Sequence, residues 1–131
     1  MAYRFEFDPI NKILMCRFEG QLTDDLLQLF YDDAQTHAIA TDPRTTVVDL
    51  VGVTKFAVAS EFIRALTHKA PVLPHSTRQR FVVVPDTAAY GLIRMFELAG
   101  GDKRPAMTIT RSLEEVWSAL GTDPPHFEPL E

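Results

Sequence analysis

The stretch Thr45-Thr46-Val47-Val48-Asp49-Leu50-Val51-Gly52-Val53-Thr54-Lys55-Phe56-Ala57-Val58-Ala59-Ser60-Glu61-Phe62-Ile63-Arg64-Ala65-Leu66 decides the fold. Its first six residues are β-branched or apolar except for Asp49, the composition of a strand covered on both faces. The pattern changes at Ser60. A serine hydroxyl caps a helix by accepting from an amide one turn on, and Phe62, Ile63 and Leu66 then recur at helical spacing. Glu61, Arg64, His68 and Lys69 fall on the opposite, solvent side. Residues 51–59 read as a tight loop between them. Strand, loop and helix in that order are the unit of an α/β fold.

Towards the N-terminus, Tyr3, Phe5 and Phe7 alternate with Arg4, Glu6 and Asp8, the pattern of a half-buried strand. Asp8-Pro9-Ile10-Asn11-Lys12 supplies turn chemistry, with Asn tolerant of a left-handed backbone. Residues 13–19 form a second strand that Gly20 breaks, and Cys16 within it reads as a small packed hydrophobe or a half-exposed thiol. Thr23 is an N-cap, with Asp24 and Asp25 favouring the helix dipole. Leu22, Leu26, Leu29, Phe30 and Ala34 form the buried stripe. Asp32 and Asp33 diverge by about 100° around that helix, so they read as solvated rather than as a shared acid site.

Towards the C-terminus, Pro71 and Pro74 stop the second helix, and residues 80–85 form a fourth, apolar strand. Asp86 and Thr87 cap a third helix with Ala89, Leu92, Ile93, Phe96 and Ala99 inward, which Gly100-Gly101 ends. Residues 106–110 make a fifth strand. Ser112-Leu113-Glu114-Glu115 is a capping box opening a fourth helix with Leu113, Val116, Trp117 and Leu120 on one face. These readings predict one domain over residues 1–121, with a Pro-rich extended arm over 122–131. The fold class is α/β: an N-terminal β-hairpin, then alternating α and β, with a mixed, mainly parallel five-stranded sheet and four helices.

That element order, with Asp49-Leu50-Val51-Gly52-Val53-Thr54 leaving the third strand and a serine opening the next helix, resembles the STAS domain. This is the fold shared by anti-sigma-factor antagonists and the cytoplasmic tails of sulfate transporters. More narrowly, the chain is similar to small bacterial single-domain STAS-like (SEC14-like) proteins. In such antagonists the loop runs Asp-Leu-Ser-Gly-Val, then an apolar pair and Asp-Ser-Ser-Gly, whose first serine a partner kinase phosphorylates. Allowing one extra residue at Lys55, those last four positions are Val58, Ala59, Ser60 and Glu61. Ala59 has no hydroxyl, Val58 replaces the acid, and Glu61 replaces the glycine that gives a kinase backbone access. The resemblance therefore implies a regulatory module without the usual serine phospho-switch. A one-residue shift would instead put Ser60 in the phosphorylated position, where a helix N-terminus favours a phosphate.

The bulk composition narrows the function classes. A net charge of −5 over 131 residues argues against a dedicated nucleic-acid binder. Residues 67–111 hold 7 bases against 3 acids, between acidic ends. That basic middle is either ordinary surface or a face for an anionic ligand or acidic partner. One cysteine excludes an internal disulfide. His37, His68, His75 and His126 share no ligand spacing, so neither a metal nor a cofactor is expected. No apolar run long enough for a signal peptide or membrane span occurs, which predicts a cytoplasmic protein with no membrane insertion.

Two functional readings remain. The first is a non-catalytic module that meets a protein partner, with a homodimer compatible, through Val53, Phe56, Val58, Ser60 and Phe62 and a face carrying Tyr90 and Arg94. The second is a carrier or sensor of a lipid or small apolar ligand, with a cavity lined by Phe56, Phe62, Ile63 and Phe96. Asp49, at the end of a parallel strand, is placed either for function or to hold amides of its own loop. An enzyme using Asp49 and Ser60 lacks a general base at recognisable spacing.

Overall fold

Strands β1 (Tyr3–Asp8) and β2 (Ile13–Thr23) form the predicted antiparallel hairpin. They do so in a computed structural model that describes residues 2–59, 61–62, 65, 79–84, 87, 90–91, 93–94 and 107–130. Asp8 is almost fully buried, and its Oδ1 accepts from the Ile10 amide at 2.9 Å and the Asn11 amide at 3.3 Å. Its Oδ2 accepts from Asn11 Nδ2 at 2.7 Å. The left-handed residue of this turn is Lys12, at φ 57°, and not Asn11, whose side chain is engaged with Asp8.

Gly20 does not break β2. At φ 82° it sits within the strand, which continues to Thr23. Helix α1 (Asp24–Thr41) follows, with the Thr23 hydroxyl accepting from the Leu26 amide at 3.2 Å. Asp42 ends it in the left-handed conformation, its amide bonded to the Ala38 carbonyl. The buried face is Phe30, Tyr31, Ala34 and Ala38. Leu29, expected inside, is 58% exposed. Tyr31 takes an inward place, because its ring edge packs on Phe30 at 5.6 Å.

Strand β3 (Thr45–Ala57) extends well past its expected end at Leu50. It pairs in parallel with β2 along its length, the predicted loop being a continuation of the ladder up to Thr23 opposite Ala57. Local sequence marks Gly20 and Gly52 as breaks. Pairing between the two strands overrides both, with two register shifts that leave the extra residues on β3. Strands β4 (Gln79–Val83) and β5 (Thr108–Thr110) add in parallel, and α2 (Leu113–Leu120) follows with the predicted capping box at Ser112 and Glu115.

Among the described residues the sheet has six strands, in the order β5-β4-β3-β2-β1-β6, and not the expected five. The sixth, β6 (Glu128–Leu130), comes from the arm: it pairs antiparallel with β1, setting Leu130 opposite Phe5. Helices α1 and α2 are the two whose bounds are described, against four expected. Helical backbone also occurs at Glu61, Phe62 and Ala65, and at Thr87, Tyr90, Gly91, Ile93 and Arg94. The remainder of the second and third predicted helices, with Ile63, Leu66, Leu92 and Phe96, lies outside the described residues.

Period-2 alternation sorts the strands into two cores. Leu14, Cys16, Phe18, Leu50 and Val82 face α1 and its aromatic residues. Ile13, Met15, Val47, Phe81 and Val83 face Val116 and Trp117 of α2. Phe127 seals the second core, its ring 5.9 Å from that of Trp117. No helix among the described residues is long and apolar enough to cross a membrane.

Candidate functional site

Asp49 lies on the α2 side of β3 and is 6% exposed. Its Oδ1 accepts from the Val51 amide at 2.9 Å, and its Oδ2 takes Arg17 Nη1 at 3.3 Å. Arg17 Nε reaches Glu6 at 2.7 Å, and Arg4 Nη1 reaches Glu19 at 2.6 Å. A ladder of alternating charge thus crosses β1, β2 and β3. The bond to Val51 holds an amide of its own loop, one of the two roles open to Asp49 in the sequence, and fixes the backbone where β3 bulges. Gly52 follows in the same bulge, where a Cβ would lie 2.7 Å from the Phe18 carbonyl oxygen. A side chain there would have to push the strands apart.

Past this point, among the described residues, the pair β2–β3 continues as a two-stranded ribbon, since β1 begins opposite Phe18 and β4 ends opposite Asp49. The ribbon has two unlike sides. Val53, Phe56 and Val58 are half-buried and pack with Phe62 and Ile93 onto the core under α1. Val51, Thr54, Lys55 and Ala57 face solvent, Val51 being 53% exposed. The Ala59 amide donates to Asp24 Oδ1 at 3.0 Å, tying the ribbon's end to the first turn of α1. Four of the predicted contact residues are therefore brought together, but they face inward.

Phe56 and Val58 line a cavity of about 100 Å³ between α1 and the sheet. Its wall is mostly rings and aliphatic chains, with Cys16, Tyr31, Thr46 and Arg80 as the residues that carry polar atoms. Thr46 Oγ1 is shut off from solvent and has no hydrogen-bond partner; leaving such a group unpaired costs about 1–3 kcal/mol. Sequence reasoning missed Thr46. The signal was its place on one face with Val48 and Leu50, hidden because threonine is also an ordinary strand residue. Phe62 packs on the same core but is not part of this wall, and Ile63 and Phe96 lie outside the described residues.

Cys16 is buried, which pushes its thiol pKa upward, and the charges of Asp49 and Asp33 add to this. Tyr3 donates its hydroxyl to Asp33 across the gap between β1 and α1. Asp33 therefore has a structural partner and is not simply a solvated acid. Burial and that bond raise the Tyr3 pKa to about 12. Tyr90 is exposed, with the Arg111 guanidinium 5.9 Å from its ring centre, and Arg94 is exposed as well. Ser60 lies outside the described residues. Among the described residues no three His, Cys, Asp or Glu side chains are grouped to hold a metal ion.

Neither the family models nor the curated proteins include a match to this chain. Among solved structures it is similar to the anti-sigma factor antagonist SpoIIAA in its unphosphorylated form, with a TM-score of 0.60 at 12% identity. The likeness covers 92% of this chain and 98% of SpoIIAA. The fold is the STAS-like one that the sequence resembles.

Proposed function

We propose that the chain is a non-catalytic STAS-like regulatory module that docks a protein partner on the outer side of the β2–β3 ribbon. The observation that carries this is the ribbon itself. It stands past the neighbouring described strands, its backbone is fixed by Asp49 and Asp24, and it presents Val51, Thr54 and Lys55 outward. A preorganised surface with a few anchors suffices for specific contact, because little ordering is required on binding. Exposed Tyr90 and Arg94 extend the candidate surface. The module works in the cytoplasm and without a phosphorylated serine: Ala59 stands in the usual position and its amide is held by Asp24. Phosphate found on Ser60 in protein taken from its own host would overturn that part.

Val51→Asp tests the surface better than Phe56→Asp, since Phe56 is packed inward. Affinity capture is expected to recover one stoichiometric protein with the parent chain and to lose it with Val51→Asp at unchanged thermal midpoint. Undiminished recovery would refute the ribbon as the docking surface. Light scattering tells whether the partner is a second copy.

The second reading, a carrier or sensor of a small apolar ligand, is favoured by the cavity under α1. Native mass spectrometry of the gently purified protein is expected to show a bound organic molecule, and a consistently bare chain would count against it.

A further inference from the structure

We infer that the cavity under α1 is a site for one small apolar molecule, of about the bulk of a single benzene ring, that carries one hydrogen-bonding atom for the Thr46 hydroxyl. The inference deepens the carrier reading and rests on it. The first support is size. The cavity measures about 100 Å³, whereas an apolar protein cavity of about 150 Å³ stays dry and accepts benzene or xenon. Drug-sized ligands need clefts of about 300–1,000 Å³, which excludes a long acyl chain or a phospholipid.

The second support is chemistry. Phe5, Phe18, Phe30, Leu50 and Met107 give a wall that prefers rings and methyl groups to water. Tyr31, Thr46 and Arg80 bring polar groups to that wall, and among the described residues Thr46 Oγ1 is the one that is sealed and without a partner. Buried polar side-chain atoms nearly always have partners, and a trapped water requires two to four polar contacts of its own. A ring bearing a single hydroxyl or carbonyl supplies what Thr46 lacks and fills the remainder by contact alone.

The test uses the whole chain, with amide chemical shifts recorded during titration with benzene, phenol and dodecanoate. It is repeated with Thr46→Val, which keeps the shape and removes the hydroxyl. Benzene and phenol are both expected to shift resonances of β2 and β3, phenol binding about three- to tenfold more tightly. In Thr46→Val that preference should vanish while benzene affinity is kept. Equal affinities in the parent chain, or a preference that survives the substitution, would overturn the Thr46 anchor. Binding of dodecanoate with neither small ring would overturn the size assignment and leave the carrier reading standing. If none of the three binds, the inference and the carrier reading fall together.

Discussion

Beneath α2, Met15, Val47, Val83 and Val116 have no measurable exposure, whereas beneath α1 a larger apolar set leaves a cavity of about 100 Å³. The difference follows from side-chain shape. Most of the α2-side core is aliphatic, with Ile13, Met15, Val47, Val83 and Val116 packed around Phe81 and Trp117, and such chains interdigitate readily. On the α1 side the rings of Phe5, Phe18 and Phe30 meet at fixed preferred angles, stacked for Phe5 and Phe30 and edge-on for Phe18 and Phe30. Flat plates held by edges and faces leave corners unfilled. The same sheet thus has one side optimised for holding the fold and one side with room to spare.

Substitutions can break or sharpen this contrast. The largest effect is expected from Trp117→Ala, which strips the α2 side of its largest ring and of the contact with Phe127. It should cost about 3–5 kcal/mol in denaturant unfolding. Enlargement discriminates the two sides more sharply. Val47→Ile on the filled side is expected to destabilise by about 1–3 kcal/mol through overpacking. Cys16→Val, which adds comparable bulk at the cavity wall, should change stability by less than about 0.5 kcal/mol. Equal penalties would mean that the cavity does not tolerate growth.

A smaller effect, confined to alkaline pH, comes from Tyr3. Its folded pKa of about 12 lies above the ordinary 10.0, so the unfolded chain loses the proton first. Stability contributed by the neutral phenol is therefore complete below pH 10 and declines as pH rises towards 12. Tyr3→Phe should flatten that part of the curve. A residual slope from about pH 8.5 upward should persist, because burial also raises the thiol pKa of Cys16. The smallest change is expected for Leu29→Gln, within about 0.5 kcal/mol, since Leu29 belongs to neither core. A large loss there would restore the buried role that its spacing suggested.

Much of the architecture was legible from local chemistry. The hairpin, the Thr23 cap and the Ser112–Glu115 capping box all depend on residues within a few positions of one another, and all are present. What stayed illegible was pairing between distant segments. Gly20 reads as a strand end until β3 supplies the extra residues that turn it into part of a bulged ladder. The arm reads as unattached because Glu128–Leu130 is two-thirds charged or Pro, and only the free edge of β1 makes it a strand. Among the site residues, Asp49 was located and its backbone-holding role foreseen as one of two. The inward direction of Phe56 and Val58 was not, because a loop has no fixed parity and a strand does. Thr46 became visible only when the rings around it were placed.

The seating of Glu128–Leu130 against Phe5 and Phe7 has a consequence for how the protein is made. Synthesis runs from the N-terminus, so the hairpin and the parallel strands leave the ribosome well before the segment that covers the outer side of β1. During that interval the backbone donors and acceptors of β1 form an open template beside two phenylalanines, the arrangement most prone to recruiting a strand from another nascent chain. Glu128–Leu130, which emerges after them, therefore acts as a clasp against intermolecular pairing, and its loss would be felt first in the yield of soluble protein rather than in the stability of the molecules that succeed in folding.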